Sequence, residues 1–433
     1  MARRVFMFLP LAFLLAFANA ARPQSPAVRA RGLGIPFEGR PGRFNAITDV
    51  KGVTVGFATL ISGSGKLVVG QGPVRTGVTA ILPRGTKAKD PVMAGFFSQN
   101  GNGEMTGIHW VKESGFLEGP IMITNTHSVG VVRDAVIAWQ LKHGGTLYPW
   151  SLPVVAETWD GFLNDADGFH VKPADTWQAL DAAESGPVAE GNVGGGTAMR
   201  CFGFKGGTGT SSRVLPSDEG GYTVGVLVQC NTGSRQDLRI AGVPVGREIK
   251  LAAVQAEAKD PEQRDMGSII IVIATDAPLI PGQMDRLARR ATLALGRLGS
   301  YSGDGSGDLF VSFSTANPGA VMPAGGIAQI QMLPNDRMNP LFLATVNATE
   351  EAIVNAMVAA QTMTGVDGHT SVALPHDQVQ EILKKYHRLE GGVATQQVPG
   401  QASVSTEETG AVIRFMSGQE GGNLGLAVWR STR

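Results

Sequence analysis

Apolar residues along this chain occur in two patterns, which are short runs and longer stretches with helical spacing. The runs at 53–57 and 78–82 are bounded by glycine or proline and favour strands. The run at 268–274 consists mainly of isoleucine and valine, which is typical of a strand covered on both faces. Apolar side chains recur every three or four positions at 126–142 and 284–298, and this spacing predicts helices. The chain is therefore expected to combine β-sheets with covering helices.

Three further segments have a local signature. Asn347 and Glu350 have the spacing of a capping box, which predicts a helix beginning there. Residues 21–42 are rich in arginine, proline and glycine and favour a surface arm over a core element. Residues 389–411 are rich in glycine, glutamine, serine and threonine and predict a flexible linker. The last two segments are expected to lie outside the core.

The charge of the chain is balanced, with 37 basic and 37 acidic residues, and the sequence contains no basic block. Nucleic acids and anionic membranes are therefore not expected as partners. Residues 1–20 combine two early arginines, an apolar stretch and an Ala-Asn-Ala end, which is the pattern of a signal peptide. The apolar stretch is shorter than the ~20 residues that span a bilayer. We expect a periplasmic or secreted protein with no membrane association after signal removal.

Cysteine and histidine usage limits the chemistry further. Cys201 and Cys230 are the two cysteines, and an exported location permits a disulfide between them. Two separate buried thiols fit the same sequence equally well. The seven histidines show no paired spacing typical of metal ligands, so no metal site is predicted.

The step from Asn231 to Ser234 carries the most specific chemistry. An apolar run ends here, and Gly233 lacks a Cβ that would shield its carbonyl from the hydroxyl of Ser234. Attack by that hydroxyl would start an N-to-O acyl shift, and hydrolysis of the ester would split the chain. Ser234 would then carry its own base, an α-amine with a pKa near ~8. The same residues are typical of a hairpin turn, and taken alone this segment favours the turn.

Seven ordered blocks resemble a known family, the DmpA-type self-processing aminopeptidases (L-aminopeptidase/D-amidase/D-esterase, with β-peptidyl aminopeptidase relatives). The blocks are residues 43–50, 100–107, 124–130, 190–197, 221–229, 274–279 and 302–308. The resemblance implies an α/β fold, a four-layer αββα sandwich of the DmpA/ornithine acetyltransferase-like type, with no cofactor. It also implies cleavage between Gly233 and Ser234, which would give an α-chain (21–233) and a β-chain (234–433) of one catalytic domain. A homo-oligomer of such α/β heterodimers is expected.

An enzyme of this kind needs a donor for the oxyanion and an anchor for the substrate ammonium group. Asn192 offers a side-chain amide in the glycine-rich loop 191–196, although that loop could serve packing alone. Glu118 is the first candidate for the anchor from the register of the resemblance, and Glu104 is the second. Either glutamate could instead be a solvated surface acid.

A hydroxyl and carboxylate pair that orients the Ser234 amine is the third requirement. Thr275 and Asp276 are the best local candidates because they follow a buried strand, and residues 302–308 are the alternative. Both segments could instead be simple turns.

We interpret the chain as an exported, self-cleaving N-terminal-serine aminopeptidase that acts on short peptides, amino-acid amides or esters. An acyltransferase of the ornithine acetyltransferase-like type and a non-catalytic periplasmic binding protein are the alternatives.

Overall fold

Two mixed β-sheets form the centre of the computed structural model, which describes residues 28–251, 267–322 and 326–390. The strands are β1 (Thr54–Ser62), β2 (Val74–Leu82), β3 (Val92–Gly101), β4 (Phe116–Leu117), β5 (Ile121–Asn125), β6 (Val154–Thr158), β7 (Arg200–Cys201), β8 (Phe204–Lys205), β9 (Gly207–Val214), β10 (Thr223–Asn231), β11 (Ser268–Thr275), β12 (Gly307–Ser314), β13 (Met363–Thr364) and β14 (Thr370–Ser371). The helices are α1 (Ile108–Ser114), α2 (Val129–Lys142), α3 (Pro173–Asp181), α4 (Val245–Glu248), α5 (Pro281–Leu298), α6 (Asn339–Val358) and α7 (His376–Lys385). The strands expected near 53–57, 78–82 and 268–274 and the helices expected at 126–142 and 284–298 are all present.

The two sheets lie face to face between two layers of helices. One sheet has the strand order β1-β2-β5-β6, and the other has the order β4-β3-β12-β11-β10-β9. Their inner faces share one apolar core, in which Ile123 of the first sheet packs with Val272 of the second. Helices α2 and α3 cover the outer face of the four-stranded sheet, and α5 and α6 cover the outer face of the other. This arrangement is the αββα sandwich that the resemblance implies.

The register of the six-stranded sheet decides which loops lie together. Strands β10 and β11 are antiparallel, with Asn231 opposite Ser268, whereas β11 and β12 are parallel, with Ile269 opposite Asp308. Asp308 in turn faces Asn100 of β3. We call this row of residues the Asn231 end of the sheet.

The opposite row is the Thr223 end of the sheet. It contains Thr223 at the start of β10, Thr275 at the close of β11, Ser314 of β12 and Met93 of β3. Strand β10 is nine residues long. At about 3.4 Å per residue, the two ends lie roughly 27 Å apart.

Two expectations about local structure are wrong. Residues 28–42 are not a peripheral arm, because Ala30 and Ile35 are buried in the core and Arg31 pairs with the buried Glu351 at 2.8 Å. Asn347 does not begin a helix but lies in the middle of α6, where its Oδ1 accepts a hydrogen bond from Arg297 of α5. Packing of α6 against the sheet and α5 overrides the local capping signal.

Some predicted segments lie outside the described residues. The signal peptide at 1–20 is one, and the linker at 389–411 is another apart from its first two residues. Within the described ranges, no helix is long and apolar enough to cross a membrane.

Candidate active site

Asn231 joins the ends of the two sheets. It is the last residue of β10, and its Oδ1 accepts a 2.8 Å hydrogen bond from the backbone N–H of Arg200. Its Nδ2 donates to the carbonyl of Trp159, which directly follows β6 of the other sheet, at 3.1 Å. The chain therefore enters the step to Ser234 from a fixed position between the two sheets.

Gly233 lies directly against an aromatic ring. Its φ of +82° is in the left-handed region that favours glycine. A Cβ at this position would lie 2.4 Å from the ring of Phe202. The backbone N–H of Phe202 also donates to the carbonyl of Thr232 at 2.7 Å. Both the backbone conformation and the available space require glycine immediately before Ser234.

A disulfide fixes the segment that carries Phe202. Cys201 and Cys230 are bonded, with their Cα atoms 5.7 Å apart and both side chains fully buried. Cys230 is a residue of β10, so the bond ties the Phe202 segment to the strand that leads to Ser234. Of the two interpretations that the sequence left open, the structure has the disulfide.

Ser234 is half-buried and begins a short 3₁₀ turn, Arg235–Asp237. Its backbone is extended, with φ −100° and ψ +141°, and its carbonyl accepts the N–H of Asp237 at 3.0 Å. Sequence reasoning placed Ser234 just after a buried strand, and the structure has it there.

The loop that carries Asn192 packs against β10 near its Asn231 end. Gly195 is so close to Gln229 of β10 that a Cβ would lie 2.1 Å from the Gln229 Oε1. The Nδ2 of Asn192 donates to the carbonyl of Gln361 at 2.8 Å, and its Oδ1 accepts the N–H of Gln361 at 3.2 Å. The amide of Asn192 is thus held at the same end of the sheet as Ser234, with one of its two N–H hydrogens used by Gln361.

The two glutamates considered as ammonium anchors lie at opposite ends of the fold. Glu104 follows β3 at the Asn231 end, where its backbone N–H donates to Glu157 Oε1 at 2.9 Å. Glu118 follows β4, which pairs with Val92 at the other end of β3, and its carboxylate accepts the Trp110 Nε1 hydrogen bond at 2.8 Å. The structure therefore brings Glu104, and not the first candidate Glu118, to the end of the sheet that carries Ser234.

Thr275 and Asp276 lie at the Thr223 end, so the structure does not bring them to Ser234. Thr275 Oγ1 donates to the carbonyl of Thr223 at 2.8 Å, and Asp276 Oδ1 accepts the N–H of the same residue at 2.8 Å. Burial raises the pKa of the Asp276 carboxyl. The prediction that this pair orients the Ser234 amine does not fit a separation of roughly 27 Å along the strand.

The alternative segment, residues 302–308, lies at the Asn231 end. The Oγ of Ser306 donates to Asp308 Oδ2 at 3.2 Å and accepts a 3.0 Å hydrogen bond from Asn100 Nδ2. The N–H of Gly307 donates to the Oγ of Ser268, which is the residue opposite Asn231. This segment offers a buried hydroxyl and carboxylate pair at the end of the sheet that carries Ser234.

Sequence reasoning missed Glu157 and Trp159, at the end of β6. Glu157 is buried and accepts hydrogen bonds from the Thr126 hydroxyl and the Glu104 N–H. Burial raises the pKa of the Glu157 carboxyl, and the nearby negative charge of Glu104 acts in the same direction. One signal in the sequence could have pointed to these residues. A carboxylate and a tryptophan follow an apolar run and precede Gly161, as expected at the end of a buried strand.

No metal centre is visible in the parts of the chain that the structure describes. Among those residues, no group of three or more histidine, cysteine, aspartate or glutamate side chains could hold an ion.

Comparisons with known proteins agree on one family. The model of Peptidase family S58 matches residues 45–371. The beta-peptidyl aminopeptidase BapA of Sphingosinicella microcystinivorans is 55% identical over 385 residues, which cover 86% of this chain and 95% of that protein. The BapA of Sphingosinicella xenopeptidilytica is 49% identical over 390 residues, covering 87% and 96%.

Solved structures give the same result. One is the L-aminopeptidase D-Ala-esterase/amidase of Ochrobactrum anthropi, described as a prototype serine aminopeptidase with a variant of the Ntn hydrolase fold. It superimposes with a TM-score of 0.77 at 46% identity, and the match covers 83% of this chain and 99% of that one. A Burkholderia beta-aminopeptidase gives a TM-score of 0.75 at 46% identity with the same coverage. Because the family model and these relatives span most of the chain, this protein belongs to peptidase family S58 and is an aminopeptidase of the Ntn hydrolase type.

Proposed function

We propose that this chain cleaves itself between Gly233 and Ser234 and then acts as an exported N-terminal-serine aminopeptidase. Its substrates are short peptides, amino-acid amides or esters, including those that begin with a β-amino acid, as the names of its relatives indicate. The observation that carries the proposal is the conformation of Gly233, which is held against Phe202 in the left-handed region directly before Ser234.

Self-cleavage begins when the Oγ of Ser234 attacks the carbonyl carbon of Gly233. The new C–O bond forms, the C–N bond to Ser234 breaks, and the departing nitrogen takes up a proton. Water then hydrolyses the ester and leaves a carboxylate on Gly233, a hydroxyl on Ser234 and a new α-amine. The products are an α-chain (21–233) and a β-chain (234–433). The absence of a Cβ on Gly233 favours this reaction, because its carbonyl is open to attack by the neighbouring hydroxyl.

Peptide hydrolysis by the mature enzyme reuses the same oxygen. The α-amine of Ser234 removes the hydroxyl proton, and Oγ attacks the carbonyl of the substrate's first residue. The leaving amine departs with that proton, and water releases the acyl group. In this proposal the second amide hydrogen of Asn192 stabilises the oxyanion, and such a donor contributes about 3 kcal/mol in other hydrolases. Support for this role comes from the position of the 191–196 loop against β10.

We assign the ammonium anchor to Glu104 in preference to Glu118. Glu104 is exposed, and its loop is joined to the buried Glu157 through its own backbone N–H. Two carboxylates in this position create a negative potential that attracts a substrate ammonium group. We further propose that Ser306 and Asp308 are the hydroxyl and carboxylate pair that orients the Ser234 amine.

Export to the periplasm or the medium is part of the proposal. The signal-like pattern at 1–20 supports it, and so does the Cys201–Cys230 disulfide, because such bonds persist in oxidising compartments.

We also propose that the two-chain unit forms a homo-oligomer. Leu293 of α5 and Leu343 of α6 are each more than half exposed on the outer helical layer, which suits burial against another copy.

Gel electrophoresis of the purified protein tests the proposal. The wild-type chain is expected to migrate as two fragments split at Gly233–Ser234, and Ser234→Ala is expected to remain a single chain. N-terminal sequencing of the smaller fragment should begin at Ser234. A wild-type chain that stays intact, or a Ser234→Ala chain that splits, overturns the mechanism.

Chromogenic amides of L-, D- and β-amino acids then test the activity. Release of the chromophore into water by the wild type, and its loss in Ser234→Ala, supports an aminopeptidase. Exchange of an acyl group onto an added amine, with no hydrolysis, would instead identify an acyltransferase.

A further inference from the structure

We propose that His127, Trp159 and Phe169 form a subsite that binds an aromatic side chain on the first residue of the substrate. We call these three residues the aromatic subsite. The inference rests on the proposed function, since it concerns the residue whose carbonyl Ser234 attacks.

The three rings form one continuous exposed surface. The His127 ring meets the edge of Trp159 with the ring centres 5.2 Å apart, and it stacks on Phe169 at 6.0 Å. Trp159 is 48% exposed and Phe169 is 58% exposed. Large aromatic side chains clustered in the open, rather than scattered singly, mark a surface that is covered when a ligand binds.

The aromatic subsite is attached to the strand that leads to Ser234. The carbonyl of Trp159 accepts the hydrogen bond from Asn231 Nδ2, and Asn231 precedes Ser234 by three residues. A ring bound against Trp159 would therefore lie beside the nucleophile.

The aromatic subsite also adjoins the ammonium anchor. His127 directly follows Thr126, whose hydroxyl donates to Glu157, and Glu157 in turn accepts the N–H of Glu104. A substrate residue whose ammonium group lies at Glu104 would direct its side chain towards His127 and Trp159. An aromatic amino acid, α or β, carries both an ammonium group and a ring.

The turn that carries Phe169 is built to keep that ring exposed. Phe169 has a φ of +49°, a conformation that costs a residue with a side chain roughly 1–3 kcal/mol and persists where neighbouring contacts impose it. Asp165 supplies those contacts, because its Oδ2 accepts hydrogen bonds from His170 Nε2 and from the N–H groups of Gly70 and Gly72. The turn therefore holds the Phe169 ring in the open beside His127.

The other two rings are fixed as well. His127 Nδ1 lies 3.1 Å from a carboxylate oxygen of Asp167. The Trp159 ring covers Gly161, where a Cβ would lie 2.3 Å from its Cζ2 atom. A preformed arrangement of this kind binds a ligand ring without first ordering its own side chains.

The test compares two substrates that differ only in the phenyl group, the p-nitroanilides of phenylalanine and alanine, each in the L-α and the β-homo form. The variants are Phe169→Ala and Trp159→Ala. The control is Trp150→Ala, which removes another exposed tryptophan, one that stacks on Tyr148 away from the subsite. Gels and melting temperatures of all variants establish that each one splits and folds as the wild type does.

We expect the wild type to prefer the phenylalanine substrates. Phe169→Ala and Trp159→Ala should lower kcat/KM for them about tenfold, mainly through KM, and change the alanine substrates by less than about twofold. Phe169→Tyr should restore the preference, and Trp150→Ala should leave both substrates unchanged.

Two results would overturn the aromatic subsite while the proposed function stands. One is a wild type that hydrolyses the alanine substrates better than the phenylalanine substrates in both forms. The other is an equal loss of activity on both substrates in Phe169→Ala and Trp159→Ala, which would show a structural role or a contact between copies of the chain. A wild type that hydrolyses none of the four amides would overturn the proposed function, and the subsite with it.

Discussion

Gly233 is pressed against the ring of Phe202, and the two residues are held in register by the hydrogen bond from the Phe202 N–H to the carbonyl of Thr232. In the proposed self-cleavage, this contact holds the backbone of Gly233, whose carbonyl Ser234 attacks. Because the Cys201–Cys230 disulfide joins the Phe202 segment to β10, the geometry before the proposed cleavage site is built by residues that all precede it. The fit between Gly233 and Phe202 can therefore be changed without altering Ser234.

Gly233→Ala is expected to slow self-cleavage by about tenfold or more, since the new methyl group clashes with Phe202 and an alanine resists positive φ. The measurement is the fraction of intact chain over time after synthesis. Gly242→Ala is the matched control, because Gly242 also has a positive φ, of +78°, but has open space around its Cα. Equal maturation of the two variants would show that the Gly233 contact has no part in cleavage.

Removal of the Cys201–Cys230 disulfide should destabilise the protein. It should not change whether the α-chain and the β-chain are covalently linked. Cys201 and Cys230 are 29 residues apart and both precede Gly233, so both belong to the α-chain. Cys201→Ser with Cys230→Ser should lower the free energy of unfolding by about 3 kcal/mol. Wild-type protein on a non-reducing gel should still give two separate bands, and a single band there would contradict the cleavage site.

Glu104→Gln should raise KM for aminoacyl amides at least about tenfold with a smaller effect on kcat, because an ammonium anchor acts in the ground state and transition state alike. Glu118→Gln is the control, since Glu118 lies beside Trp110 at the far end of β3. Kinetics on one amide distinguish the two carboxylates. A larger KM effect at Glu118 would refute the assignment drawn from the register of the sheet.

The regular elements and the position of Ser234 could be predicted from the sequence because they depend on local patterns. The run at 268–274 is apolar on both faces, and in the structure Ile271 faces the helices while Val272 faces the other sheet. Ser234 follows a buried strand, so its place at a strand end needed no knowledge of the neighbouring strands.

The partners of Ser234 could not be predicted in the same way, because they depend on strand direction. Thr275 is the last residue of β11, just as Asn231 is the last residue of β10. If these two strands were parallel, both residues would lie at the same edge of the sheet. Strands β10 and β11 are antiparallel, which sends Thr275 to the Thr223 end. The sequence around Glu118 likewise does not show that β4 pairs with the first residues of β3 rather than the last. This pairing places Glu118 at the Thr223 end.

Asn192→Ala should lower kcat by about a hundredfold with little change in KM, because the oxyanion exists only in the transition state. Self-cleavage passes through a similar intermediate at Gly233 and should slow as well. Asn192 also holds the backbone of Gln361, so the melting temperature must be measured alongside. A variant that melts earlier but keeps its kcat would limit Asn192 to a structural role.

Asp160 is expected to make the stability of the protein depend on pH. This carboxyl is fully buried, and burial raises its pKa from 3.8 to about 7. Its Oδ2 accepts a hydrogen bond from Asn164, and the side chains of Thr76 and Asn125 also favour the charged form, but burial outweighs them. The folded protein therefore holds a proton on Asp160 across a range in which the unfolded chain has already lost it.

Between about pH 4 and pH 7 the unfolded state binds fewer protons at this site, so the free energy of unfolding should fall as the pH rises through that window. The shift corresponds to at most about 4 kcal/mol. Asp160→Asn removes the titration while keeping a side chain of similar shape, so its unfolding free energy should change less between pH 5 and pH 8. Urea titrations on the uncleaved Ser234→Ala background keep the transition unimolecular and measure the difference. If Asp160→Asn leaves the pH dependence as steep as before, another group is responsible for it, and Asp160 is ionised in the fold throughout this window.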